Sequence, residues 1–119
     1  RGAGTRVELR CPDPAANPYL VLAVCLEAGL DGIRNQITPP DAVTENVFEM
    51  QLPQRAKLGI ESLPGDLEQA VEELEKDDYI KNVLGGHITE KYLEAKKAEW
   101  ADYRAQVTEW EIEKYLYKI

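Results

Sequence analysis

The stretch Arg6-Val7-Glu8-Leu9-Arg10-Cys11-Pro12-Asp13-Pro14-Ala15-Ala16-Asn17-Pro18-Tyr19-Leu20 carries the reading on which the fold turns. From Thr5 to Arg10 charged and apolar residues alternate with period two, the pattern of a strand with Val7 and Leu9 on one face. Arg6, Glu8 and Arg10 then share the other face. Cys11-Pro12-Asp13-Pro14 cannot prolong that strand, and Asn17-Pro18 offers a helix cap followed by a proline at the first helical position. The helix so started is apolar nearly all round from Tyr19 to Leu30, so it needs cover on most sides, and Gly29 and Gly32 weaken its end.

Outward from this segment the chain is helical. The expected order is a strand within residues 1–11, a buried helix over 17–34, an irregular stretch over 36–65 and helices over 66–119. Pro39, Pro40, Pro53 and Pro64 punctuate the irregular stretch, with one short helical turn expected across Gln54 to Leu58. Leu67, Ala70, Val71 and Leu74 recur at i, i+3, i+4 and i+7, an amphipathic helix ending near Asp77-Asp78. A short helix over Tyr79 to Leu84 is stopped by Gly85-Gly86, and a long one runs from Ile88 to about Val107 with Leu93, Trp100 and Val107 spaced by sevens. The tail from Trp110 to Ile119 is rich in aromatic and aliphatic groups, which predicts docking or self-association. The fold class expected is therefore a mainly α piece of an α+β fold, with one N-terminal strand, a buried first helix and a C-terminal helical bundle. A lone strand leaves its backbone groups unpaired, and the chain starts at Arg1 without methionine, so pairing strands are expected upstream.

Bulk properties exclude several classes. The 44% apolar content supports an ordered core rather than a disordered tail. A net charge of −8 repels a phosphate backbone, which argues against nucleic acid as a partner. The apolar run Tyr19 to Leu26 is far short of the roughly 20 residues that cross a bilayer, so no membrane partner is expected. Cys11 and Cys25 lack metal or redox spacing and fit packing roles in a reducing cytosol, hence a cytoplasmic setting. His87 is a lone histidine with no second ligand in range, and Gly2-Ala3-Gly4 reads as a turn rather than a phosphate loop. The clusters Glu72-Glu73, Glu75 to Asp78 and Lys96-Lys97 read as solvated helix faces.

The segment Arg6 to Leu20 closely resembles the strand-to-helix segment of type I glutamine synthetases. The resemblance continues through Ala28-Gly29-Leu30-Asp31-Gly32-Ile33, Thr38-Pro39-Pro40 and Asn46-Val47-Phe48, and the end from Trp110 to Tyr115 is also similar to that family. It implies the C-terminal part of a catalytic domain, in an enzyme that phosphorylates the γ-carboxylate of glutamate with ATP and lets ammonia displace the phosphate. It further implies ATP and Mg2+ or Mn2+ as cofactors, and a homo-oligomer, a dodecamer of two six-membered rings. By the same resemblance Glu8 falls on a metal ligand, Arg6 on a contact to the ATP phosphates, and Arg10 on a catalytic residue that engages glutamate and the transferring phosphoryl group. Phe48 stands near the place of a tyrosine that some members use to accept an adenylyl group.

The chemistry suits that spacing. A strand projects i, i+2 and i+4 to one side about 6.6–6.8 Å apart, so a carboxylate sits between two cations. Phosphoryl transfer depends on positioning and on neutralising charge at the equatorial oxygens, which arginine and metals do well. Two other readings compete. One is a related ligase joining glutamate to an amine or polyamine, because the segment serves activation rather than choice of nucleophile. The other is a non-catalytic helical interaction module built on the apolar tail. The chain alone is expected to make no glutamine, since one carboxylate cannot complete a metal site.

Overall fold

A computed structural model describes residues 4–116 and 118. Two compact units make up the chain, Arg1–Pro39 and Pro40–Ile119, and each is described by itself. Helices are the regular elements among the described residues, and none of those residues is in a strand.

In the first unit, residues 5–10 carry no regular secondary structure. This corrects the expected N-terminal strand and with it the α+β class. A strand is defined by the ladder it shares with a neighbour, and no described segment pairs with this one, so alternation of side chains alone leaves an open, solvated backbone. The following turn is built from Asp13, whose Oδ1 accepts from the Ala15 N–H at 2.7 Å while its carbonyl accepts from the Ala16 N–H at 2.9 Å. Helix α1 then spans Pro18–Arg34. Asn17 starts it by accepting from the N–H groups of Tyr19 and Leu20 at 3.0 and 3.3 Å, with Pro18 in the first turn, where no N–H is needed. Gln36 ends the helix with a φ of 51°, which lets the Ile37 N–H reach back to the Gly32 carbonyl at 2.9 Å.

The burial expected for α1 is also corrected: none of its residues is buried. Tyr19, Leu22, Leu26 and Ile33 are all exposed. A helix that is apolar nearly all round needs partners on several sides, and its own short unit does not supply them.

The second unit opens with a 3-10 turn at Val47–Glu49, capped by Asn46, and a short helix α2 at Leu52–Lys57. Met50 between them is only 6% exposed, and its carbonyl accepts from Arg55 Nε at 3.1 Å. Gly59, with a φ of 66°, closes α2. Helix α3, Leu67–Lys76, is capped by Asp66, whose carboxylate accepts from the Gln69 N–H at 2.8 Å. Its apolar stripe buries Val71 to 6% exposure. Asp77 ends α3 and caps α4, Asp78–Leu84, by accepting from the Ile80 N–H at 3.0 Å.

Gly85, at a φ of 79°, makes the break after α4, and α5 follows at once as Gly86–Tyr103. The stop read at Gly85-Gly86 is therefore a one-residue hinge, and Gly86 is already helical. Thr89, the buried polar side chain of α5, donates its hydroxyl to the Lys81 carbonyl at 3.2 Å and so ties α5 to α4. Helices α3, α4 and α5 pack on one another and form the core of this unit. Helix α5 ends before Val107, which is exposed and lies off the expected seam. The tail forms a short helix α6, Glu109–Glu111, and a π-helical turn at Ile112–Leu116. Thr108 and Glu111 build a reciprocal capping box at its start, and Trp110 meets the Tyr115 ring edge-on at 5.8 Å. Tyr117 and Ile119, like Arg1, Gly2 and Ala3, lie outside the described residues.

Candidate functional site

Arg6, Glu8 and Arg10 come together in space. Arg6 donates from one guanidinium nitrogen to the Gly4 carbonyl at 3.2 Å and from the other to Glu8 Oε2 at 3.3 Å. Arg10 Nε donates to Glu8 Oε1 at 2.5 Å, and a terminal nitrogen of the same fork pairs with that oxygen too. One carboxylate thus has each oxygen occupied by a different guanidinium, and the group carries a local charge of +1. Alternation in the sequence put the three side chains on one side, and the backbone delivers that arrangement without a sheet.

All three side chains are largely solvated, Arg10 most of all. Exposed ion pairs are worth about 0.2–1 kcal/mol, so these partners exchange readily for a ligand. Guanidinium forks match the oxygens of phosphate and carboxylate, and a free carboxylate is a ligand for hard cations. The Asp13 turn and the Asn17 cap follow directly, so the start of α1 anchors the downstream end of this segment.

A divalent ion needs about six ligand contacts. Among the described residues no group of three or more histidine, cysteine or acidic side chains is placed to hold one. Glu8 offers two oxygens at most, so it fits the role of a single ligand and no more. His87 is exposed on the first turn of α5 and joins no such group. Phe48 is 92% exposed on the 3-10 turn, its N–H donating to Asn46 Oδ1 at 3.2 Å.

Sequence reasoning missed one constellation altogether. Glu68, Glu72 and Glu75 on α3 face Lys97, Trp100, Ala101 and Arg104 across a cavity in the second unit. The i, i+4, i+7 spacing of the three glutamates was the available signal, but the 22-residue separation of Glu75 from Lys97 hides the pairing.

The family model described as "Glutamine synthetase, catalytic domain" matches residues 1–115. The chain belongs to the glutamine synthetase family. A glutamine synthetase of Clostridium saccharobutylicum is 52% identical over 118 residues, 99% of this chain and 27% of the relative. One of Thermotoga maritima is 53% identical over 117 residues, 98% of this chain and 27% of the relative. The solved structure described as "Apo GmaS without ligand" superposes with a TM-score of 0.75 at 41% identity, covering 91% of this chain and 24% of that one. The chain therefore spans about a quarter of the length of the glutamine synthetases it matches. Among the described residues no helix is long and apolar enough to cross a membrane.

Proposed function

We propose that this chain is the C-terminal part of the catalytic domain of an ATP-dependent glutamate–ammonia ligase, which makes glutamine through a γ-glutamyl phosphate. The observation that carries the reading is the convergence of Arg6, Glu8 and Arg10 in a chain of this family. In it, Arg6 holds phosphate oxygens of ATP, and Arg10 orients the glutamate and stabilises the charge on the phosphoryl group in transit. Glu8 would hold Mg2+ or Mn2+ as a single ligand, with the remaining ligands supplied from outside this chain. Such a cation, when bound, offsets phosphate charge. With Glu8 so engaged, both guanidiniums would be free for anions.

The same reading makes the assembly a cytoplasmic dodecamer of two six-membered rings, with the chain alone inactive. It also makes the Phe48 position unable to take an adenylyl group, because a phenyl ring has no hydroxyl. Support comes from the shared family and from the exposed apolar residues Tyr19, Leu22 and Leu26, which need a larger body to cover them.

The test is a chimera in which this chain replaces the matching segment of the Thermotoga maritima glutamine synthetase. It is assayed with ATP, Mg2+, glutamate and either ammonia, methylamine or putrescine. Glutamine formation by the chimera, with none by the chain alone, is expected. A soluble, assembled chimera that produces only γ-glutamyl amides would move the assignment to an amine ligase, and one that produces neither would remove the catalytic reading.

A further inference from the structure

The chain leaving Arg10 has few ways to bend before α1 begins. Pro12 and Pro14 fix their own φ and push Cys11 and Asp13, the residues before them, toward extended backbone. Asn17 and Pro18 belong to the start of α1, where the Asn17 side chain accepts from the Tyr19 N–H at 3.0 Å. From Pro12 to Pro18, only Ala15 and Ala16 have neither a proline ring nor a hydrogen-bonding side chain. Both are held by one residue. Asp13 Oδ1 accepts from the Ala15 N–H at 2.7 Å, and the Asp13 carbonyl accepts from the Ala16 N–H at 2.9 Å, with Pro14 at the second position of the turn. Asp13 therefore locks the two links that would otherwise let the segment swing about the start of the helix.

We propose that Asp13 is a positioning residue for phosphoryl transfer, acting through Arg10 by fixing where the chain leaves the turn. The inference rests on the ligase reading, in which Arg10 orients glutamate and stabilises the phosphoryl group. A guanidinium aimed at developing charge works within a tolerance of about 0.5 Å, and a misplacement of about 1 Å can cost on the order of 100-fold in rate. Residues 5–10 have no regular structure to absorb a displacement at the turn, so it reaches Arg10 first and fades toward Glu8 and Arg6. The part Asp13 plays is geometric. Its Oδ1 acts as a hydrogen-bond acceptor, which the amide oxygen of asparagine is as well, whereas a glutamate carboxylate keeps the charge but is one methylene too long for this turn.

The experiment uses the chimera with the Thermotoga maritima enzyme, with the assembly mass measured for every variant. Asp13→Ala should lower kcat about tenfold while the Mg2+ concentration for half-maximal rate, which reports Glu8, stays where it was. Asp13→Asn should restore most of the turnover, and Asp13→Glu should not. In the Arg10→Leu background Asp13→Ala should cost nothing further, as expected of two residues that act through one group. If the alanine variant does not assemble, the asparagine and glutamate variants give the same decision. Normal turnover in Asp13→Ala, equal losses in Asp13→Asn and Asp13→Glu, or losses at Asp13 and Arg10 that multiply would overturn this proposal and leave the ligase reading standing. A native chimera that assembles and makes no product would overturn both.

Discussion

The segment around Glu8 and the α3–α5 hairpin are opposites in how they are held. The first has its charged groups paired with one another in solvent, on a backbone with no regular structure, and leads into a helix with no buried residue. The second closes on itself: Val71 is buried, Thr89 ties α5 to α4, and ion pairs run from α3 to Lys97 of α5 and to Arg104 just past its end. The difference teaches that the part bearing the proposed chemistry depends on its surroundings for order, whereas the helical part carries its own. The matches to relatives cover both regions, so family membership does not report which part is self-sufficient.

That contrast can be broken by mutation. In the chimera, Glu8→Gln should raise the Mg2+ concentration for half-maximal rate by about tenfold or more, because an anionic ligand becomes a neutral one. In the chain alone the same change should leave the urea midpoint where it was, since exposed pairs contribute little. A fall in the chain's midpoint would show that the segment stabilises its unit after all.

Equivalent caps sharpen the comparison further. Asp66→Ala removes the α3 cap and should cost about 1 kcal/mol, read as a lower urea midpoint, because α3 packs in the core. Asn17→Ala removes the corresponding acceptor from α1 and should appear as lost helical circular dichroism with little change in that midpoint. Equal midpoint losses would contradict the division into a dependent and a self-sufficient part.

The smallest effect concerns pH. Hydrogen bonds from the Thr108 backbone N–H and then its hydroxyl hold the Glu111 carboxyl below the usual glutamate range. A group depressed in the folded state adds stability above its unfolded pKa and loses it as pH falls through the folded value. The turn at Thr108 should therefore open only in acid, below the ordinary glutamate range. Faster exchange of the Thr108 amide there than in Glu111→Gln-normalised controls would show it, and a change centred near neutrality would not fit.

Much of this was legible from local chemistry. Asn17-Pro18 announces the start of α1, and Leu67, Ala70, Val71 and Leu74 give α3 its stripe, because caps and periodicity act within a few residues. The period-two pattern from Arg6 to Arg10 correctly set three side chains on one side, yet it misled about the strand, which depends on a neighbour that no local pattern supplies. The heptad run to Val107 failed similarly, since α5 ends at Tyr103 and the spacing of Val107 has no helix to act through. The Glu75–Lys97 and Glu68–Arg104 pairs were unreadable because they join residues far apart in the chain.

The most direct test of the central claim is Arg10→Leu in the chimera, with the assembly mass measured alongside the rate. Turnover should fall at least about 100-fold, the scale of removing one donor aimed at developing charge, with the mass unchanged. Near-normal turnover in an intact assembly would contradict the assignment of Arg10 and, with it, the catalytic reading of the Arg6, Glu8 and Arg10 group.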